Sequence, residues 1–211
     1  MQAKKQTAME DEDLINVADA DGWTPLMYAV TNDGDIADPE IVAMLLQSGA
    51  DPNIPLVQAG VELHGAALHL LVENGAGSYA PETVAMLLQY GADPNILDNG
   101  GDTVLMAVVQ HGSDGWLDEQ GARSVYQTME TLLDGGARPE IINPRTGENV
   151  LNIAETHHAQ AIGSGNMLQR DLFDSITSEI LRRLGDTTDE EQMDTWNEDE
   201  TDEETTDEET G

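Results

Sequence analysis

The sequence has no cysteine, which excludes disulfide bonds, thiolate catalysis and metal sites built on cysteine. Basic residues are also scarce: eight lysines and arginines stand against 42 aspartates and glutamates, for a formal net charge of −34. Nucleic acids and anionic lipids attract positive surfaces, so this charge argues against direct binding to either. No stretch approaches the roughly 20 apolar residues of a membrane span, and no apolar run follows Lys4 and Lys5 as in a secretory signal. We therefore expect a soluble, cytoplasmic protein with no membrane association.

The acidic residues are concentrated towards the end of the sequence. Fourteen of them, and no basic residue, lie in residues 186–211, where only Met193 and Trp196 are large and apolar. Such a segment cannot bury enough apolar surface to offset its ordering entropy, so we expect a disordered acidic tail. The remaining chain still carries a net charge of −20. Two interpretations are open: a surface adapted to high salt, where the Debye length is about 3 Å at 1 M, or a surface that meets a basic partner.

Two short units recur along the chain in the same order. Residues 42–53 and 84–95 differ only at Ser48 and Tyr90, and residues 131–139 form a weaker third copy. Ahead of these copies, a second unit begins at residues 24, 66 and 103, with a fainter version at residue 149. Linked units of this kind indicate a repeat architecture, in which each unit is one supersecondary element.

Each copy predicts a pair of short helices. Thr24 supplies a capping oxygen and Pro25 suits the first helical position. The second helix is followed by a glycine suited to a left-handed cap and then by a proline that prevents continuation. The apolar residues of one buried face in the second helices are Ile41, Val42, Leu45, Leu46, Val84, Leu87 and Leu88. Because each pair has an apolar face that only another pair can cover, the pairs are expected to stack into a solenoid.

The motifs Asp21-Gly22-Trp23-Thr24-Pro25-Leu26 and Leu-Leu-x-x-Gly-Ala-Asp-x-Asn resemble the two halves of an ankyrin repeat. The family period is about 33 residues, whereas the spacing from Gly49 to Gly91 is 42 residues and from Gly91 to Gly136 is 45. The excess predicts insertions at residues 33–39, 54–60, 75–81 and 112–124. The resemblance implies an all-α ankyrin-repeat solenoid of about four repeats with long insertions. We divide the chain into an N-terminal cap (1–15), a repeat domain (16–185) and the acidic tail (186–211).

The boundaries of the last helices follow from glycine and serine positions. Residues 159–165 contain Gly163, Ser164 and Gly165, which predict a loop. The apolar spacing from Leu172 to Leu184 then predicts a final helix that ends at Gly185.

No catalytic or metal-binding framework is found in the sequence. A nucleophile elbow, a phosphate-binding glycine loop and a dinucleotide fingerprint are all missing. His157 and His158 are adjacent, so on a helix they diverge by about 100° and cannot chelate one ion together. We therefore expect no enzymatic activity, no metal and no cofactor.

The resemblance implies a monomeric, non-enzymatic protein that binds another protein through its loop tips and concave face. It places His69 at the position where the family's histidine braces neighbouring loops, and it places Trp23 at a variable surface position. The candidate partner-binding residues are Asp21, Trp23, Thr31, Asn32, Glu73, Asn74, Asn99, Asp102, Gln110, His111, Glu148 and His157. Since this surface is acidic, a partner with a basic surface fits best. The alternative is an acidic decoy that occupies the basic nucleic-acid site of another protein.

Overall fold

The structure is a computed structural model that describes residues 14–31, 38–58, 61–74, 81–113 and 117–196. The described residues form eight helices and one two-stranded antiparallel hairpin. The helices are α1 (Pro25–Thr31), α2 (Pro39–Gln47), α3 (Ala67–Asn74), α4 (Pro81–Gln89), α5 (Val104–His111), α6 (Glu119–Asp134), α7 (Val150–Ser164) and α8 (Met167–Trp196). The strands are β1 (Leu56–Gln58) and β2 (Val61–His64). The predicted N-terminal cap, apart from Leu14 and Ile15, lies outside the described residues.

The helices stack in two layers. Helices α1, α3, α5 and α7 pack in sequence to form a first layer, and α2, α4, α6 and α8 pack in sequence to form a second layer. Each first-layer helix also packs against the second-layer helix that follows it. This confirms the all-α solenoid of four helix pairs. The insertion predicted at residues 54–60 contributes β1, which pairs with β2 ahead of the second repeat.

The second-layer helices bury the predicted apolar face with one exception. Val42, Leu46, Val84 and Leu87 are at most 3% exposed, while Leu45 and Leu88 are partly buried against the core. Ile41 was predicted to be buried, but it is 49% exposed, whereas Thr83 at the same position of the second repeat is fully buried. The difference arises because α2 covers α4, while the described part of the chain places no helix against the outer side of α2.

Asparagine side chains join the ends of consecutive repeats. Asn53 donates its Nδ2 hydrogen to the carbonyl of Gly91 (2.8 Å), and its Oδ1 accepts from the backbone N–H of Asp93 (2.8 Å). Asn95 makes the same two bonds one repeat later, to the carbonyl of Gly136 (3.0 Å) and the N–H of Arg138 (2.9 Å). Gly91 and Gly136, whose carbonyls accept these bonds, adopt positive φ angles near 90°, as predicted for left-handed caps.

Three helix boundaries differ from the sequence prediction. Helix α6 begins inside the predicted 112–124 insertion, because Asp118 caps it by accepting from the N–H of Gly121 (2.8 Å). The loop predicted at residues 159–165 is wrong, since α7 continues to Ser164 and ends at Gly165 with φ 73°. The helix end predicted at Gly185 is also wrong: α8 continues to Trp196. A single exposed glycine costs a helix only about 1 kcal/mol, and no proline follows it. Residues 197–211 lie outside the described residues, so their disorder stays a prediction.

Candidate protein-binding surface

The loop before α1 is a tight turn organised by Asp19. The backbone N–H of Asp19 donates to the carbonyl of Trp23 (2.9 Å), and its Oδ1 accepts from the N–H groups of Asp21 and Trp23 (both 2.9 Å). Its Oδ2 accepts from the hydroxyl of Tyr28 (2.7 Å). The Tyr28 hydrogen bond and then the backbone bond from Trp23 lower the pKa of Asp19, so this carboxylate stays charged at neutral pH.

The same turn displays two aromatic rings. The ring centroids of Trp23 and Tyr28 are 5.2 Å apart with an interplanar angle of 34°. Trp23 is half-buried and packs against the core, whereas Tyr28 is 48% exposed. The expectation of an outward-facing indole is therefore only partly met, and Tyr28 supplies the more accessible ring. Together Asp19, Asp21, Trp23 and Tyr28 form what we call the aromatic–acidic patch.

Gly22 fixes this patch against the second repeat. Its φ is +87°, and a Cβ added to it would lie 2.1 Å from the carbonyl oxygen of Val57 in β1. Both the backbone conformation and the close approach therefore require glycine at this position. The hairpin inserted before α3 thus packs directly on the turn that carries the patch.

The loop before α5 is held by a polar network that uses two of the predicted binding residues. Asp102 accepts from Gln110 Nε2 (3.1 Å) through Oδ2 and from Asn143 Nδ2 (2.6 Å) through Oδ1. Asn143 is only 1% exposed and also accepts from the backbone N–H of Arg145 (2.7 Å). Asp102 therefore joins the third repeat to the fourth, Gln110 supports it within the third repeat, and both side chains are half-buried.

His69 links the second repeat to the third. Its side chain is 1% exposed, and its Nε2 lies 3.2 Å from the carbonyl oxygen of Asp102. Because a carbonyl only accepts, Nε2 carries the proton. Burial lowers the pKa of His69, which favours this neutral form. The bracing role implied by the family resemblance agrees with this contact.

The remaining predicted binding residues differ in their exposure to solvent. Asp21, Asn99 and Glu148 are exposed, and Glu73 and His111 are half-exposed. Asn32 lies outside the described residues, and only the backbone of Asn74 is described.

Two of the predicted binding residues serve the fold instead. Thr31 is 7% exposed and donates its hydroxyl hydrogen to the carbonyl of Met27 (2.9 Å), so its assignment to the surface is wrong. His157 is half-buried and stacks on Phe173 of α8, with ring centroids 5.4 Å apart. One face of its ring is therefore covered by the last helix.

Charge is distributed unequally between the two layers. The described residues include six arginines and no lysine. Four of the arginines lie in α6 or α8, whereas Arg138 and Arg145 lie in the loop between α6 and α7, which precedes a first-layer helix. Helices α1, α3, α5 and α7 contain no basic residue other than histidine. The carboxylate residues on these helices and in the described loops before them are Asp19, Asp21, Asp51, Glu62, Glu73, Asp93, Asp98, Asp102, Glu140, Glu148 and Glu155.

Neither a metal-binding cluster nor a membrane-spanning helix is found among the described residues. No group of three histidine, aspartate or glutamate side chains in this part of the chain is placed to hold a metal ion. No helix there is both long and apolar enough to cross a membrane.

Comparison with known proteins identifies the repeats. The ankyrin-repeat family model matches residues 21–55 and 66–99. The ANK repeat-containing protein nipk-1 of Caenorhabditis elegans is 28% identical over 158 residues, which cover 74% of this chain and 23% of that protein. The human Ankyrin repeat family A protein 2 is 48% identical over 48 residues, or 23% of this chain and 14% of that protein. The chain thus spans less than a quarter of the length of these relatives.

Proposed function

Because the chain belongs to the ankyrin-repeat family, we propose that it is a non-enzymatic binding protein whose first layer and preceding loops recognise a basic surface of another protein. Ankyrin repeats are protein–protein interaction modules, and their stacked helices present an extended surface for this purpose. The proposal concerns the first layer because its loops carry both the exposed carboxylates and the aromatic–acidic patch.

The observation that carries the proposal is the separation of charge between the layers. In the second layer, arginines neutralise neighbouring carboxylates: Arg183 contacts Glu179 and Asp134, and Arg170 contacts Asp171. The described first-layer helices and the loops before them hold eleven carboxylate residues but only Arg138 and Arg145, so this face carries an excess of negative charge. A complementary positive surface would be steered towards this face and held in one orientation on it.

The test is capture of partners by the immobilised full chain at 0.15 M salt, with identification of the retained proteins. The loop variant, Asp21→Asn with Glu148→Gln, neutralises two exposed carboxylates on the proposed face. The control, Glu82→Gln with Glu119→Gln, makes the same charge change in the second layer. We expect a small set of basic proteins to be lost with the loop variant and kept by the control.

Two results would contradict the proposal. Equal retention by both variants would mean that the first layer is not the binding face. The acidic decoy would be indicated instead if the retained proteins bind nucleic acids and are released by added DNA, and if both variants weaken their binding equally. In that case diffuse charge, rather than a defined face, would account for binding.

A further inference from the structure

We propose that the aromatic–acidic patch binds an arginine side chain of the partner, with the guanidinium stacked on Tyr28 and its N–H groups directed at the carboxylates of Asp19 and Asp21. This proposal rests on the proposed function and specifies its chemistry. In this site Trp23, one of the predicted binding residues, supports the ring of Tyr28.

The ring geometry determines where a cation can lie. The centroids of Trp23 and Tyr28 are only 5.2 Å apart. A planar group between two rings needs about 3.5 Å on each side, so no guanidinium fits between them. The cation must therefore lie on the accessible side of Tyr28, which is 48% exposed. Trp23 packs against the core behind it and holds the ring in place.

A fixed negative charge stands at the edge of this ring. The Oδ2 atom of Asp19 lies 2.7 Å from the Tyr28 hydroxyl oxygen. Its Oδ1 atom already accepts from the N–H groups of Asp21 and Trp23, so the carboxylate cannot turn away. A carboxylate has about four lone-pair sites, and Oδ2 therefore retains acceptor capacity for a ligand. Asp21 is exposed two residues further along the same turn.

This combination favours arginine over lysine. The guanidinium is planar, stacks on aromatic faces and presents five N–H donors, whereas the ammonium of lysine is compact and strongly hydrated. The edge carboxylates can accept from the guanidinium while its plane remains on the ring. Helix α1, which carries Tyr28, has no arginine or lysine of its own to compete for the site.

The test compares two probe peptides, an alternating arginine–glycine decapeptide and its lysine–glycine counterpart, binding to the full chain at 0.15 M salt. A cation–π contact at an exposed site contributes about 0.5–1 kcal/mol per side chain. We therefore expect the arginine peptide to bind roughly two- to fivefold more tightly, and Tyr28→Leu to abolish this preference. The matched control is Tyr90→Leu, because Tyr90 is similarly exposed at 40% but follows α4 in the second layer.

A second measurement keeps the test informative if Tyr28→Leu fails to fold. The arginine peptide should shift the ring resonances of Tyr28 in the unmodified protein and leave those of Tyr90 unchanged. Equal affinities for the two peptides, or an arginine preference that survives Tyr28→Leu, would overturn the arginine site while leaving the proposed function intact. Failure of both peptides to bind would overturn the proposed recognition of a basic surface itself.

Discussion

Replacing Asn95 by alanine tests whether the asparagine side chains hold consecutive repeats together. The change removes two hydrogen bonds, from Asn95 Nδ2 to the carbonyl of Gly136 and from the N–H of Arg138 to Asn95 Oδ1. A typical hydrogen bond contributes about 1 kcal/mol net, and both freed groups lie in an exposed turn that water can reach. We expect the free energy of unfolding to fall by about 1–2 kcal/mol, which lowers the midpoint of thermal unfolding by several degrees.

Asn95→Asp separates the two bonds. The aspartate keeps an acceptor for the N–H of Arg138 but places a carboxylate oxygen where the donor faced the Gly136 carbonyl. At neutral pH this variant should be at least as destabilised as Asn95→Ala, because two acceptors then face each other. Urea unfolding followed by far-UV circular dichroism gives all the values. The control is Asn99→Ala, which alters an exposed turn in the same repeat.

If the free energy of unfolding of Asn95→Ala lies within about 0.3 kcal/mol of the parent value, the Asn95 hydrogen bonds contribute little to holding the repeats together. The same conclusion would follow if Asn99→Ala were as damaging as Asn95→Ala. A loss confined to Asn95 would place the coupling between the second and third repeats in this side chain. Nearest-neighbour contacts are the main source of cooperativity in a solenoid.

Further predictions concern the interior and the pH dependence of stability. Leu87→Ala should lower the free energy of unfolding in urea by about 2–5 kcal/mol, and Leu88→Ala should lower it clearly less, since Leu87 is fully buried and Leu88 only partly so. Equal losses for the two variants would contradict this placement of the buried face. Thr83→Val should stabilise the protein by about 1 kcal/mol, because the buried hydroxyl has no hydrogen-bond partner among the described residues; a lower thermal midpoint would show that the hydroxyl is satisfied. Hydrogen bonds from Arg182 and Arg183 lower the pKa of Glu179 from its ordinary 4.5 to about 2. A depressed pKa stabilises the fold above about pH 4.5, and this contribution is lost as the pH falls towards 2. With allowance for solvent screening at the exposed Arg182, Glu179→Gln should therefore lower the free energy of unfolding by roughly 1–2 kcal/mol at pH 7 and by less at pH 3. A loss that does not change with pH would rule out the ion pairs as its source.

The repeat pattern predicts the fold because the same residues meet the same backbone requirement in each copy. Gly49, Gly91 and Gly136 all adopt the left-handed conformation that a helix cap demands. Thr103 accepts from the N–H of Met106, as expected of a capping hydroxyl. These features are local, so a sequence motif is enough to identify them. The number of helix pairs follows from counting the motifs.

Features that depend on neighbouring repeats could not be predicted in this way. Ile41 and Thr83 occupy the same repeat position, but the apolar side chain is exposed and the polar one is buried. Within the described part of the chain, only the helix that carries Thr83 has another helix packed on its outer side. Tyr28 was not among the predicted binding residues for a similar reason. Its exposure is suggested by its place opposite the buried Leu26 and Met27, but its bond to Asp19 and its contact with Trp23 depend on the fold of the preceding turn.

The separation of charge between the layers connects the two interpretations of the acidic composition. A surface adapted to high salt and a surface that awaits a basic partner both carry many more carboxylates than cations, and the first layer with its preceding loops has this property. The second layer differs because it contains four of the six described arginines, and Arg170, Arg182 and Arg183 pair with neighbouring carboxylates. Uniform adaptation to salt would not require this difference between the layers. A binding face would favour such a difference, since arginines on that face would compete with the cationic side chains of the partner. The unequal distribution therefore favours recognition of a partner on the first layer, whatever the salt conditions in which the protein works.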